Sequence, residues 1–425
     1  MPDVVIIGAG LGGLLAGAAL AKQGKKVVVL EKMSQPGGRF TNLPYKGFQL
    51  STGAVHLIPH GNRGPLAQFL KRLEADVKIV DCNPWCVFRI GKKDYPISQF
   101  SDFDPIINLF PFFERLKMAK ILLEIKVLGL PSNEITLEAW LKDHVKDEFA
   151  IKIANAFFGF AVSLHVNSIP AGEGVLFLKR VNEYKGSGVP LGGCKSVVDS
   201  LVKIIKANGG EVLTQTKVLG FETNDNSITK LYFEREQISE VKANFIISNI
   251  GAKETVELIG KEYFDNNYLQ KVNNIPPSCG IKINIVSKKS LFKNGILFTP
   301  DCQRIGGLIE LTNIDPSLAP PNQHLIISHQ PLLSQNIKKE TALGLEDLKS
   351  LIPNFEKDCK ILLVQSYHSN WPVNRAAMGF DIEPTTPIKN LFLVGDSVKE
   401  PGWIDSEGVA KGVEKVIESL FKISH

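Results

Sequence analysis

The stretch VVIIGAGLGGLLAGAALAKQGKKVVVLEK, running from Val4 to Lys32, constrains this chain more than any other. Gly8, Gly10 and Gly13 complete a G-x-G-x-x-G between an apolar run and an Ala-rich stretch. Val4–Ile7 reads as a buried strand, residues 11–23 as a helix that stops near Gly24, and Val27–Leu30 as a second β-branched strand. Each glycine has a physical job. Gly8 permits the tight turn, Gly10 lets backbone approach a pyrophosphate, and Gly13 lets helix and strand pack closely. Exposed N–H groups and the helix dipole then favour phosphate charge. Glu31 closes the second strand 18 residues after Gly13, where a carboxylate can accept from a ribose hydroxyl. The unit specifies dinucleotide binding and leaves open whether the ligand is NAD or FAD.

Composition bounds the rest. With 425 residues, 44% hydrophobic and 22% charged, the chain suits a globular protein of two domains. Its net charge of +5 is spread along the sequence. No basic block interleaves with aromatics, which argues against nucleic-acid binding. The six cysteines form no C-x-x-C, and Cys82 and Cys86 lack a His or Cys partner pair nearby. Structural zinc and a redox dithiol are therefore disfavoured, and no metal is expected. Met-Pro-Asp before the first strand leaves no room for a signal peptide, and charges cut every apolar stretch short of a membrane span. The expectation is a cytoplasmic protein, with peripheral membrane contact open.

The fold class expected is α/β: a Rossmann-like domain assembled from separated segments, plus a mixed-sheet and helical substrate domain. The segments are 1–72, 186–255 and 385–425 for the first domain, and 73–185 with 256–384 for the second. Residues 86–97 read as a strand pair around Gly91, and 105–130 as imperfectly amphipathic helix. A Gly/Pro-rich joint at 185–193 leads into a helix over 195–207. Strands are predicted at 211–218 and 245–249, and strand-like runs alternate with turns over 276–380. The segment NLFLVGD (390–396) returns to the strand-then-glycine style of the first unit, and a helix from about Glu407 ends the chain.

Beyond the second strand, KMSQPGGRF places Gly37, Gly38 and Arg39 where paired glycines can pass a flat ligand and an Arg can meet a phosphate. With the first unit, this stretch resembles the N-terminal signature of the FAD-dependent amine oxidase and phytoene desaturase superfamily. GFQLSTGAVHLIP (47–59) resembles the segment these enzymes run behind the flavin, although many relatives carry Asp where this chain has Ser51. NLFLVGDSVKEPGWIDSEGVAKGVEKVIESL resembles the closing FAD motif, and VPLGGCKSVVDSLVKIIKANGGEVLTQTKV the middle segment. The resemblance implies non-covalent FAD bound by Gly8, Gly10, Leu11, Gly12, Gly13, Glu31, Lys32, Gly38 and Arg39. It further implies Gly53, Ala54 and Val55 behind the ring, Val218 backbone at the adenine, and Gly395, Asp396, Ser406 and Val409 at the ribityl and pyrimidine ends. No second G-x-G-x-x-G occurs, and with the missing C-x-x-C this argues against the pyridine-nucleotide disulphide reductases.

Flavin chemistry in such a fold makes few titratable residues obligatory, because the cofactor accepts the hydride. Lys282, between Ile281 and Ile283, resembles the amine-oxidase lysine that holds a water near the flavin N5. The alternation of its strand reads first as a lysine on the exposed outer face of a half-buried strand. Trp371 and Trp403 are candidates for an aromatic cage, and His56, His60 and His165 for the cavity border. The match is better to the phytoene desaturase and carotenoid isomerase branch, which implies a lipophilic polyene or isoprenoid-like substrate. Two alternatives stand beside it, an amine oxidase releasing hydrogen peroxide and a flavin-binding protein without turnover. The segment 112–128, carrying Arg115, Lys117, Lys120 and Lys126, suits either a bilayer surface or a helix that covers a domain.

Overall fold

The computed structural model describes residues 1–98, 100–292 and 295–423. Val4–Ile7 lies at the centre of a five-stranded, all-parallel sheet. In spatial order its strands are Leu391–Leu393, Phe245–Ser248, Val4–Ile7, Val27–Leu30 and Glu211–Leu213. Apolar residues run continuously along these strands because both faces are covered. Val4, Ile6, Val27 and Val29 pack under the helices Leu11–Lys22, Cys194–Ala207 and Asp405–Ile423. Val5, Ile7, Leu30 and Ile246 face the other way, against a three-stranded antiparallel sheet spanning residues 217–241 and the helix Ala252–Ile259.

A second, seven-stranded sheet draws on residues 86–97 and 280–367. Its order is Cys359–Tyr367, Gly280–Ser287, His324–Pro331, Gly307–Glu310, Ile296–Phe298, Cys86–Ile90 and Lys93–Ile97. The pairs are antiparallel except for Ile296–Phe298 beside Cys86–Ile90. Across its middle, Gln365, Lys282, His329 and Gly307 stand in one register, so the side chains of Gln365, Lys282 and His329 share a face. Helices Glu148–Val162 and Ala171–Tyr184 pack beside this sheet through Phe157, Phe160 and Phe177.

Several expected elements differ in detail. The strand read over 211–218 is two strands, Glu211–Leu213 and Lys217–Asn224, because Gln215 between them takes a left-handed backbone, φ +52°. The helix read over 105–130 is interrupted near Pro111 and resumes as Phe112–Leu128. Within the region read as strands and turns, Ile337–Leu351 is a helix, capped by Asn336 through the Lys339 N–H. Among the described residues no helix is long and apolar enough to cross a membrane.

Candidate functional site

Four parallel strands deliver their carboxyl ends to one place. Gly8, Glu31, Asn249 and Gly395 each follow a strand of that sheet, and all four line a single cavity of about 480 Å³. This is where open parallel sheets bind ligands. The backbone there leaves no room for side chains. A Cβ on Gly10 would lie 2.5 Å from the Asn249 amide nitrogen, and one on Gly12 would lie 2.7 Å from its oxygen and 3.0 Å from the Gly395 nitrogen. Gly13 is outside the cavity lining and packs on the strand, with the Gly8 carbonyl 2.2 Å from where its Cβ would be. Helix Leu11–Lys22 starts at Gly10 without a side-chain cap, so its first N–H groups remain available to a ligand.

Glu31 is buried, and its carboxylate accepts from the Ala9 N–H at 2.7 Å and the Met33 N–H at 2.8 Å. These bonds fix the acid against the glycine turn and leave lone pairs for further donors. Across the cavity, Arg39 donates to Asp396 at 2.6 Å and to the Val373 carbonyl at 2.7 Å. Asp396 also accepts from the Arg375 N–H at 2.9 Å. Burial pushes the Asp396 carboxyl up, but Arg39, Lys399 and Arg375 outweigh it and hold the pKa below its ordinary value. The neighbouring Asp405 has less cationic company, and burial raises it to about 6.

Every cofactor residue expected from the sequence other than Gly13 lines this cavity, from Leu11 and Lys32 through Gly38, Gly53, Ala54, Val55 and Val218 to Ser406 and Val409. Sequence reading missed Asn249, whose side chain sits among Gly10, Gly12 and Gly395. Its position at the end of a parallel strand, equivalent to Gly8 and Glu31, was the signal available.

Lys282 is not the exposed lysine the sequence allowed. It is fully buried, yet it is absent from the cavity wall. Its Nζ donates to the Ser51 and Gly53 carbonyls at 2.7 Å each, holding from behind the segment that carries Ala54 and Val55, and burial pushes its pKa well below the usual lysine range. Tyr367 donates to the same Gly53 carbonyl at 2.6 Å. His56, His60 and His165 do not line the cavity. His56 bridges the Gln49 carbonyl and the Cys194 N–H at the start of a helix. His60 stacks on Tyr184 and meets the edge of Trp403, which also lies outside the cavity; Trp371 lines it.

Away from the glycine loop the cavity becomes apolar and aromatic. Phe157, Phe160, Phe177 and Phe298 form one cluster, with the Phe157 and Phe298 centroids 5.2 Å apart, and Trp85 and Val181 add to the wall. Ser163 ends the helix that supplies Phe157 and Phe160, and its hydroxyl lies 2.5 Å from His329 Nε2.

The residues present fit FAD. A glycine cradle and a helix N-terminus suit the pyrophosphate, and a fixed carboxylate suits the ribose. At the opposite end, the start of helix Asp405–Ile423 brings the buried Ser406 hydroxyl, which has no hydrogen-bond partner among the described residues, to the cavity wall.

Comparison with known proteins agrees. Residues 6–73 match the family model of the NAD(P)-binding Rossmann-like domain. The crystal structure of an oxidoreductase from Methanosarcina mazei is 40% identical, covering 98% of this chain and 99% of that one with a TM-score of 0.91. The phytoene desaturase (neurosporene-forming) of Rhodobacter capsulatus is 26% identical over 51% of this chain and 47% of its own length. Putrescine oxidase, at 14% identity, shares the fold across 99% of both chains with a TM-score of 0.75. The chain belongs to the FAD-dependent amine oxidase and phytoene desaturase superfamily of oxidoreductases.

Proposed function

We propose that this oxidoreductase acts on a lipophilic, polyene-like or isoprenoid-like substrate, desaturating or isomerising it. The observation that carries the reading is the aromatic limb of the cavity. Phe157, Phe160, Phe177 and Phe298 offer an extended apolar substrate a wall continuous with the cofactor region. Bound FAD supplies the hydride acceptor. The protein's contribution is placement. Lys282 and Tyr367 fix the Gly53 carbonyl, so that the Gly53–Val55 wall keeps its shape. The aromatic side chains would exclude water and hold an apolar substrate against the cofactor region. The start of the C-terminal helix favours negative charge at the cavity end that holds Ser406.

A substrate of this kind is dissolved in membranes, and the helix Phe112–Leu128 suits their surface. Phe112, Phe113, Leu122, Leu123, Val127 and Leu128 are exposed, and only Ile121 of the helix is buried. Lys120 and Lys126 lie among them, able to meet anionic headgroups. The relation to phytoene desaturase supports the same substrate class. An amine substrate has less support, because Trp403 lies outside the cavity and Lys282 behind its wall.

The test is anaerobic reduction of the FAD-loaded protein by isoprenoid lipids and by amines. Bleaching of the visible flavin bands by an isoprenoid, with amines inert, is the expected result. Bleaching by amines alone would replace this reading with amine oxidation. Isomerisation leaves the flavin's net oxidation state unchanged and is read instead by chromatography of the recovered lipid, so no bleaching by either class together with an unchanged lipid would leave a flavin-binding protein without turnover.

A further inference from the structure

Ser163 is unusual for its position. It ends the helix Glu148–Val162 in the left-handed conformation, φ +57° and ψ +38°, where glycine is the residue without strain. A non-glycine residue there costs about 1 kcal/mol, and such strain is a pointer to function when the side chain does something glycine cannot. Here the side chain is a hydroxyl on the wall of the aromatic limb, one helical turn beyond Phe160.

Behind it stands His329, a fully buried cross-strand neighbour of Lys282. Gly280 leaves space for the imidazole, since a Cβ at that position would lie 2.9 Å from the ring. Ser163 Oγ and His329 Nε2 are 2.5 Å apart, while His329 Nδ1 is buried without a partner among the described residues. Burial first, and then the Lys282 charge, lower the imidazole to about 3, so it carries one proton at neutral pH. That proton belongs on Nε2. An unpartnered buried N–H is costlier than an unpartnered lone pair, and placing the proton on Nδ1 would create one. His329 therefore donates to Ser163, and the serine's own proton is left to point into the cavity.

We infer that Ser163, oriented by His329, is a substrate-binding residue that donates a hydrogen bond to an acceptor oxygen on an otherwise apolar chain. This deepens the reading above and rests on it: the substrate is an oxygen-bearing lipophile, such as an isoprenoid carbonyl, alcohol or ether, and not a bare hydrocarbon.

The test compares two probes of one polyene skeleton. One is all-trans-retinyl methyl ether, whose oxygen accepts and cannot donate. The other is the hydrocarbon in which CH2 replaces that oxygen. Binding to the FAD-loaded protein is read by quenching of tryptophan fluorescence and needs no turnover. The native protein is expected to bind the ether about fivefold to tenfold more tightly, the worth of one net hydrogen bond. Ser163→Ala is expected to bring the ratio close to one with hydrocarbon affinity unchanged. Ser163→Gly, which lacks the hydroxyl but carries no left-handed strain, must behave the same, so a folding defect in the alanine variant cannot imitate the result. Equal binding of both probes by the native protein, or a ratio that survives both substitutions, would overturn the assignment while leaving the lipophilic reading intact. Failure of both probes to bind would overturn that reading, and this inference with it.

Discussion

Arg39 and Asp396, 357 residues apart in sequence, meet at 2.6 Å on the wall of the cofactor cavity. The pair ties the turn after the second parallel strand to the glycine turn of the last one, and both side chains are largely buried. The sequence suggested separate contacts to the cofactor for the two residues. The geometry adds a contact between them, with Arg39 also gripping the Pro372 and Val373 carbonyls.

Removing one partner of such a pair leaves the other charge without its counterion. Arg39→Ala is expected to lower unfolding free energy by about 3 kcal/mol and to weaken FAD retention. Arg39→Lys, which keeps the charge but cannot span Asp396 and two carbonyls at once, should recover only part of the loss. Chemical denaturation and FAD content after desalting measure both. A wild-type denaturation midpoint for Arg39→Ala would show that the pair does not hold these segments.

The glycine cradle gives a sharper steric prediction. A methyl on Gly12 would press on the Asn249 side chain at 2.7 Å and the Gly395 backbone at 3.0 Å. Gly12→Ala should fold, because the clash lies at the ligand face, but it should lose FAD binding by at least about tenfold. Titration of the apo variant with FAD, followed by flavin fluorescence, checks this. Unchanged affinity would mean that the approach of these loops is looser than the structure has it.

Lys282 separates positioning from direct chemistry. Lys282→Met removes two donors from the Ser51 and Gly53 carbonyls and should cost about 2 kcal/mol of stability. A positioning role predicts weaker FAD binding while the bound flavin is still reduced by substrate. Normal FAD binding with abolished reduction would instead place the amine at the reacting atoms.

Acidification probes the buried imidazoles. Neither ring nitrogen of His60 has a hydrogen-bond partner among the described residues, and burial first, then Arg180, lower its pKa from 6.5 to about 4. Above 6.5 both folded and unfolded states hold it neutral. As pH falls from 6.5 towards 4, the unfolded chain binds a proton that the folded state excludes, and stability is lost. Glu407, raised to about 7 by burial, works in the opposite direction, so the readout is the difference between variant and native protein at each pH. His60→Phe keeps the stack on Tyr184 and removes the proton uptake. Its advantage in Tm should grow as pH falls from neutrality to about 5. A difference that stays constant with pH would show that His60 titrates normally.

The parts of the site that were legible in sequence are those where backbone does the binding. Gly8, Gly10 and Gly13 announce themselves as a spaced motif because side chains do not fit where this turn meets its neighbours, while Gly12 came only with the family resemblance. Glu31 follows from its distance along a βαβ unit of fixed length. Asn249 was legible only in its place at the end of a predicted strand, since an asparagine there looks like any turn residue until the sheet sets it beside Gly10 and Gly395. Lys282 was half legible. The alternation of its strand showed that it pointed away from Ile281 and Ile283, but not that the Ser51–Gly53 segment would cover it. The Ser163 and His329 pair was invisible, because 166 residues separate them and the serine's value lies in a backbone conformation that sequence does not declare.

This chain holds FAD non-covalently in the cavity at the ends of its parallel strands. The most direct measurement is the visible spectrum of the purified protein, followed by that of its acid-precipitated supernatant. Twin flavin bands are expected, with all the FAD released into the supernatant. A colourless protein that takes up no added FAD would contradict it.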